Sequence, residues 1–283
     1  MNKIRIIPRL DIKGPHLVKG IHLEGLRVLG NPRDFCSYYY NNGADEVFYT
    51  DCVASLYERN SLNELITKTA ETTFIPLTVG GGLRTVEDIR NALAAGADKV
   101  SINTAAIKSP EFISQASQIF GSSTIVVTIE AILSPNGTYE AFVDNGREET
   151  GKDVFQWCKE VEDLGAGEIV ITSVDKEGTG EGFDIDLIKG VTDTVSIPVI
   201  AHGGAKSIED VINVIKSTNI SAVSIASAFH YHLLKSGDFS NTVDNSSEGN
   251  LRFLESGSLS KKITTFDITE LKLALKASGI SCR

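Results

Sequence analysis

Cysteine is scarce in this sequence, and the four that occur, Cys36, Cys52, Cys158 and Cys282, are widely separated. Without a CxxC pair or a dense cysteine framework, they indicate reduced thiols rather than disulfides. Long apolar runs are also absent, since no stretch approaches the roughly 20 residues that span a bilayer. The first residues include charges too early for a signal peptide. These absences predict a cytoplasmic protein that does not enter a membrane.

An excess of positive charge is missing as well. The chain has 27 Lys and Arg against 37 Asp and Glu, which gives a formal net charge of −10. This balance argues against binding to nucleic acid or to an anionic membrane. The five histidines show no convincing metal-ligand set. We therefore expect neither a metal nor another cofactor.

The sequence does contain a regular alternation of short β-branched runs and amphipathic helical patterns. Its 283 residues, 41% of them apolar, are long for an ordinary domain but suit one large α/β barrel. Eight βα units predict a (β/α)8 TIM barrel, whose functional face lies at the C-terminal strand ends. A doubly wound open sheet is the structural alternative. The predicted strands are 4–10, 46–51, 74–79, 99–103, 124–131, 168–173, 198–202 and 222–226.

An internal repeat favours the barrel. The segment at 75–88 reappears at 197–210, an offset of 122 residues, and shorter matches occur in the same order. Two similar half-barrels explain this spacing, because neither half alone could pair both of its edge strands. We expect a single barrel domain over residues 1–283, with a flexible insertion at about 236–262 and a terminal helix at about 267–278.

Paired glycines follow a predicted strand and precede a predicted helix in both halves. Glycine lets backbone N–H groups approach an anion, and the helix N-terminus adds partial positive charge. One pair alone would often be no more than a tight turn, but the repetition predicts two phosphate sites and a long substrate with a phosphate at each end. With the adjacent strand ends, the residues are Gly81, Gly82, Asn103 and Thr104 in the first half and Gly203, Gly204, Ala226 and Ser227 in the second.

Two carboxylates close separate strands, one in each half. Strand periodicity places Arg9 and Asp11 on one face of the first strand and Glu130 at the end of the fifth. If these faces point inward, Asp11 and Glu130 meet at the mouth and suit a general acid and a general base. The alternative is that each caps a loop or pairs with a lysine. Lys19 lies in a glycine-punctuated loop, 13–30, that is long enough to close over a ligand, with a solvated lysine as the alternative.

A ring of charges is predicted at the opposite end of the barrel, from Arg5, Glu46, Lys99 and Glu168. Its simplest role is to close the barrel through mutual salt bridges. Bulky branched residues usually dominate a barrel interior, whereas hydroxyl side chains fall on inward positions here. They would suit the passage of a small polar molecule from the charged floor to the mouth. These residues are Thr50, Thr78, Ser101, Thr128, Thr172 and Ser224.

Several motifs in order, including those at 7–13, 79–84, 97–105 and 172–179, resemble the cyclase subunits of imidazole glycerol phosphate synthase. The resemblance implies a (β/α)8 barrel with a HisH-like glutaminase subunit docked at its N-terminal face. It implies that ammonia passes the charged ring and attacks a bis-phosphorylated formimino ribulosyl nucleotide. Imidazole glycerol phosphate and aminoimidazole carboxamide ribotide would result, in histidine biosynthesis.

The resemblance also assigns roles to residues of this chain. The family's catalytic pair falls on Asp11 and Glu130, and the ammonia gate on Arg5, Glu46, Lys99 and Glu168. The phosphate and substrate contacts that it implies are Lys19, Gly82, Asn103, Thr104, Asp175, Gly178, Gly204, Ala226 and Ser227.

Three residues depart from the family pattern. Glu130 is one methylene longer than the usual aspartate, and Arg9 and His202 stand where the family has small residues. By strand parity, Arg9 points into the barrel below Asp11. Its charge there would favour ionised Asp11 and obstruct part of the passage.

These departures and the insertion leave alternatives open. One is an ammonia-conducting subunit of the same type that serves acetamidino-sugar formation in surface-polysaccharide biosynthesis. Another is the sister isomerase of the histidine pathway, which shares both phosphate sites but would not need the charged ring. A binding protein without catalysis is the last, and the crowding of the site by Arg9 would favour it.

Overall fold

The computed structural model describes residues 3–54, 62–236 and 262–283. Its strands in these ranges are β1 (Arg5–Lys13), β2 (His16–Ile21), β3 (Glu24–Gly30), β4 (Val47–Asp51), β5 (Leu77–Gly80), β6 (Lys99–Ile102), β7 (Ile125–Leu133), β8 (Tyr139–Val143), β9 (Glu148–Asp153), β10 (Glu168–Ser173), β11 (Val199–His202) and β12 (Ala222–Ile225). Eight of them pair in parallel in the order β1-β4-β5-β6-β7-β10-β11-β12, and β12 pairs back onto β1. The predicted barrel is confirmed, because an open sheet would leave two edges unpaired.

Helices surround the barrel. In the described ranges they are α1 (Pro32–Asn41), α2 (Asn63–Ala70), α3 (Val86–Ala94), α4 (Thr104–Lys108), α5 (Glu111–Phe120), α6 (Val154–Asp163), α7 (Ile185–Thr194), α8 (Ile208–Ser217), α9 (Ser227–Ser236) and α10 (Ile268–Ala277). None of these helices is both long and apolar enough to cross a membrane. Their buried faces pack on the outer face of the strands and form the main hydrophobic core.

Matching caps begin the two helices that follow the repeated glycines. The Thr85 hydroxyl accepts a hydrogen bond from the Asp88 N–H at 3.1 Å, and Ser207 caps α8 in the same way through the Asp210 N–H. Such caps satisfy N–H groups that have no partner within the helix. They fix the start of each helix just beyond the glycine turn.

Two antiparallel extensions rise from the first strand of each half. The pair β2 and β3 continues from β1, and β8 and β9 continue from β7. The prediction of a loop at 13–30 is therefore wrong in its local structure. Backbone ladders make this segment a hairpin, and its turn places His22 and Leu23 at positive φ.

The predicted inward hydroxyls share the barrel interior with apolar side chains. Six apolar side chains form a separate buried cluster inside it: Ile7, Phe48, Val126, Val170, Ile200 and Ala222. The inward hydroxyls are present, but they alternate with this apolar cluster along the strands. A molecule that moves along the barrel axis therefore meets a layer of apolar side chains, like those that fill the interior of most (β/α)8 barrels.

The chain ends meet near the start of β1, where Cys282 forms a parallel bridge with Ile4. The last helix, α10, begins after Asp267, which accepts a hydrogen bond from the Glu270 N–H. Residues 237–261, the main part of the predicted insertion, lie outside the described residues.

Candidate active site

Two separate clefts open at the C-terminal ends of the barrel strands. The first has a volume of about 230 Å³ and includes Gly82, Asn103, Thr104 and Glu130 among its lining residues. The second has a volume of only about 20 Å³. Its lining residues include Gly178, Gly204, Ala226 and Ser227. The structure thus groups the predicted phosphate residues into two sites, one on each half.

Close packing explains why glycine is required at both clefts. Gly81 has φ +93°, and a Cβ there would overlap the backbone of Asp51. Gly204 has φ +97°, and a Cβ there would overlap the carbonyl of Gly182. Any other residue would be strained and would push the neighbouring chain away. The helices α3 and α8 begin just beyond these turns, and their N-termini favour anions at each.

Asp11 is held between two cations. Its carboxylate accepts a hydrogen bond from Arg9 Nε at 3.0 Å, and Lys19 Nζ lies 3.6 Å away. Burial raises the pKa of Asp11, but the charges of Arg9 and Lys19 outweigh that effect and lower the pKa to about 2. Asp11 is therefore ionised at neutral pH.

Glu130 has the opposite ionisation behaviour. It lines the first cleft and accepts a hydrogen bond from the Gly146 N–H at 2.8 Å, in the turn between β8 and β9. Burial raises its pKa to about 7, against the lowering effects of that hydrogen bond and of Arg9. A carboxyl group with this pKa can exchange a proton near neutral pH.

Lys19 is buried and not solvated. It forms an ion pair with Glu177, whose other oxygen accepts a hydrogen bond from the Leu23 N–H at 3.2 Å. The β2–β3 hairpin is thereby fastened to the loop that follows β10. Sequence reasoning missed Glu177. It lies within the motif at 172–179, but its pairing with a residue 158 positions earlier left no sequence signal.

Asp175 lies apart from the two clefts and lines neither of them. Its carboxylate accepts a hydrogen bond from the Leu133 N–H at 2.8 Å, which ties the end of β7 to the loop after β10. Its assignment as a substrate contact stays a prediction.

Arg9 and His202 meet in the upper part of the barrel interior. Arg9 Nη1 lies 3.5 Å from His202 Nδ1, and the Arg9 guanidinium lies 5.6 Å from the centre of the Phe48 ring. The Thr172 hydroxyl is 3.1 Å from the same His202 nitrogen. Burial and the charge of Arg9 keep the pKa of His202 well below its usual value. The ring is therefore neutral at physiological pH.

At the other end of the barrel, the four predicted charges form one network. Lys99 Nζ lies 3.1 Å from Glu46 and 3.0 Å from Glu168, and Arg5 bridges the same two glutamates. The Thr78 hydroxyl donates to Glu46 at 2.6 Å. This floor network, defined as Arg5, Glu46, Lys99 and Glu168, closes the bottom of the barrel.

One histidine lies close to acidic groups outside the clefts. His232, Asp267 and Glu270 present ligand atoms within 4.8 Å of one another. Asp267 and Glu270 already form the capping box of α10. Their arrangement is thus accounted for by the helix end.

Comparison with known proteins assigns the chain to a family. A profile described as "Histidine biosynthesis protein" matches residues 5–235. The chain belongs to this family. Within it, the chain is 56% identical over 210 residues to a protein of Legionella pneumophila, covering 74% of this chain and 99% of the relative. That relative is named imidazole glycerol phosphate synthase subunit HisF.

Two further HisF proteins are similar over most of their length. The one from Lactococcus lactis subsp. cremoris (strain MG1363) is 48% identical over 228 residues, covering 80% of this chain and 88% of the relative. The one from Methanopyrus kandleri is 46% identical over 245 residues, covering 80% of this chain and 90% of the relative. The profile match over residues 5–235 spans both carboxylates, both glycine turns and the floor network. The terminal helix α10 lies beyond it.

Proposed function

We propose that the chain is the cyclase subunit of imidazole glycerol phosphate synthase and acts in histidine biosynthesis. Ammonia from a glutaminase subunit converts the bis-phosphorylated formimino ribulosyl nucleotide into imidazole glycerol phosphate and aminoimidazole carboxamide ribotide, with loss of water. Membership of the HisF family supports this choice of reaction. The structural observation that carries it is the pair of glycine-lined clefts, with buried Glu130 lining the first and buried Asp11 hydrogen-bonded to Arg9, which lines the same cleft.

In this proposal each cleft holds one phosphate of the substrate. Backbone N–H groups at Gly82 and Thr104 face one phosphate, and those at Gly204 and Ser227 face the other. A cavity of about 20 Å³ holds little more than one water molecule. The second cleft therefore opens when the phosphate enters. The loop that carries Glu177 and Gly178 forms one of its walls and is the segment that we expect to move.

The two carboxylates take different parts in the proton transfers. Glu130 is partly protonated at neutral pH and donates a proton to the oxygen that leaves as water. Asp11 remains ionised and stabilises the positive charge that develops on the attacking nitrogen. Lys19 keeps Asp11 ionised and connects it to the hairpin that covers the site.

Ammonia reaches the first cleft along the hydroxyl-bearing side of the barrel. Thr78 contacts the floor network through Glu46, and Ser101 and Thr128 share a hydrogen bond of 2.6 Å. Ser101 and Thr128 also line the first cleft. These hydroxyls lie on β5, β6 and β7 and offer hydrogen bonds to ammonia beside the apolar cluster. This route ends next to Glu130.

The glutaminase docks at the N-terminal face, over the floor network. Two large apolar side chains at this end support the assignment. Phe74, 76% exposed, precedes β5, and Ile119, 48% exposed, lies at the end of α5 before β7. Connections from a helix to the next strand lie at the N-terminal face of such a barrel. Exposed apolar side chains there are suited to contact with a protein partner.

The test is turnover of the bis-phosphorylated nucleotide by the purified protein with ammonium salts, without a glutaminase. We expect both products to appear in equal amounts, measured by chromatography. Glu130→Gln should lose this activity, whereas Lys68→Met on the exposed face of α2 should keep it. A wild-type protein that binds the nucleotide without forming product would contradict the proposed reaction.

A second candidate is an ammonia-conducting subunit for acetamidino-sugar formation in surface-polysaccharide biosynthesis. Two observations favour it: the small second cleft and the ion pair between Arg9 and Asp11 in the barrel interior. This candidate predicts that the protein passes ammonia from a glutaminase to a separate synthetase and neither binds nor converts the nucleotide. Calorimetry with the nucleotide distinguishes the two candidates.

A further inference from the structure

Arg9 uses only part of its hydrogen-bonding capacity. A guanidinium has five N–H donors in a fixed fork. Nε donates to Asp11, and Nη1 is at the limit of a hydrogen bond to His202, at 3.5 Å. Arg9 lines the first cleft, so the donors that these two contacts do not use can bind water or a ligand there.

Arg9 also lies at the boundary between the two clefts. Its side chain is only 3% exposed, but it lines the first cleft together with Glu130. His202, which it contacts, lines the second cleft. The pair thus forms a partition between the clefts, supported from one side by the Phe48 ring. A ligand with one end in each cleft has to cross this partition.

We propose that Arg9 is a specificity-determining residue that binds an oxygen atom in the middle of the substrate, between its two phosphates. The group that it recognises is a carbonyl or hydroxyl oxygen, because a guanidinium has only N–H donors and therefore binds an acceptor atom. Bisphosphates with an oxygen-bearing linker are thereby favoured over those with an apolar linker. This inference rests on the proposed function, since it takes the substrate to span both clefts.

The neutrality of His202 contributes to this role. Because the imidazole is uncharged, it does not repel the guanidinium. The positive charge of Arg9 then acts on a ligand in the first cleft. Asp11 fixes the Nε side, so the Nη edge stays in one orientation. Arg9 is therefore preorganised, which reduces the entropy lost when the ligand binds. A lysine at this position would carry the charge but could not supply the planar fork.

The test compares two ligands in calorimetry: the formimino ribulosyl nucleotide and an alkanediyl bisphosphate of matching length, which lacks the central oxygens. We expect Arg9→Met to weaken nucleotide binding about ten-fold or more, in line with loss of a charge-assisted hydrogen bond. Affinity for the alkanediyl bisphosphate should change much less. Arg90→Met, on the exposed face of α3, is the matched control and should bind both ligands as the wild type does.

An equal loss of affinity for both ligands, or no loss for either, would overturn the proposal. If Arg9→Met does not fold, judged by near-UV circular dichroism, Arg9→Lys decides, and we expect the same loss of preference for the nucleotide. A structure of the wild type with the nucleotide should place an Nη atom 2.7–3.2 Å from a linker oxygen. If the wild type binds the nucleotide but does not turn it over, the proposed reaction is contradicted. The role of Arg9 is then still decided by the comparison of affinities for the two ligands.

Discussion

Asp11 and Glu130 lie near the ends of the first strands of the two half-barrels, β1 and β7, yet their pKa values are shifted in opposite directions. The pKa of Asp11 falls to about 2 and that of Glu130 rises to about 7. Both groups are buried, so burial alone does not separate them. The difference arises because Arg9 and Lys19 both adjoin Asp11, whereas the hydrogen-bond donors at Glu130, the Gly146 N–H and the Asn103 side chain, are neutral. Two carboxylates with separated pKa values are suited to different catalytic tasks.

The pH dependence of turnover should report Glu130. Since Glu130 acts as the proton donor, we expect kcat to fall as the pH rises through about 7, where Glu130 loses its proton. The measurement uses ammonium salts at a constant concentration of free ammonia, so that the titration of ammonium does not contribute. Glu130→Gln should lower kcat by about 100-fold or more and flatten the remaining profile. Persistence of the same inflection in this variant would assign it to another group.

Stability should also depend on the ionisation of Glu130. Its folded-state pKa is raised from 4.5 to about 7, so the folded protein binds the proton more tightly than the unfolded chain. This contribution to the free energy of unfolding is present below pH 4.5 and is lost as the pH rises to 7, in total by about 3 kcal/mol. Denaturant titrations of the wild type and Glu130→Gln between pH 4.5 and 8 measure the difference. Parallel pH profiles would show that Glu130 is not the group responsible.

Neutralising Asp11 should destabilise the protein as well as inactivate it. Asp11→Asn leaves the Arg9 charge buried without its carboxylate, and breaking a buried pair in this way costs about 3–5 kcal/mol. The double variant Asp11→Asn with Arg9→Met removes both charges and should regain part of that stability. Chemical denaturation of the two single variants and the double variant gives the coupling energy. Strict additivity would contradict the ion pair.

Lys99 in the floor network should affect glutamine-dependent turnover more than ammonium-dependent turnover. Lys99→Met removes contacts to Glu46 and Glu168 at the barrel bottom, far from the clefts. With the glutaminase bound, we expect the ratio of glutamine-dependent to ammonium-dependent rates to drop several-fold. Turnover with saturating ammonium salts should change little. Lys189→Met, on the exposed surface of α7, is the control. A ratio equal to that of the wild type would show that the floor network does not affect the transfer of ammonia from the glutaminase.

Much of the architecture was predictable because it depends on local pattern. The repeated glycine turns have positive φ, a conformation that favours glycine, so the glycines themselves indicate the turns. The structure places these turns at the two clefts. The floor network followed from strand parity, which side-chain alternation fixes. Arg9 pointing inward beside Asp11 followed in the same way.

Other features depended on contacts distant in sequence. The partner of Lys19 is Glu177, in a loop of the other half, and no periodicity relates these two positions. The apolar cluster obeys the same strand parity as the hydroxyls, since Phe48, Val170 and Ile200 lie on the inward faces of their strands. The volume of the second cleft depends on how the loop after β10 packs against the β2–β3 hairpin. Such packing is a property of the folded chain.

The composition of the floor network makes the two halves of this protein non-interchangeable. The N-terminal half supplies two cations and one anion, Arg5, Lys99 and Glu46, whereas the C-terminal half supplies only the anion Glu168. By the repeat, the counterpart of Lys99 is Ala222. A symmetric barrel made from two N-terminal halves would bury surplus positive charge at its base, and one made from two C-terminal halves would bury unmatched negative charge. Electroneutrality at this end of the molecule therefore requires one copy of each.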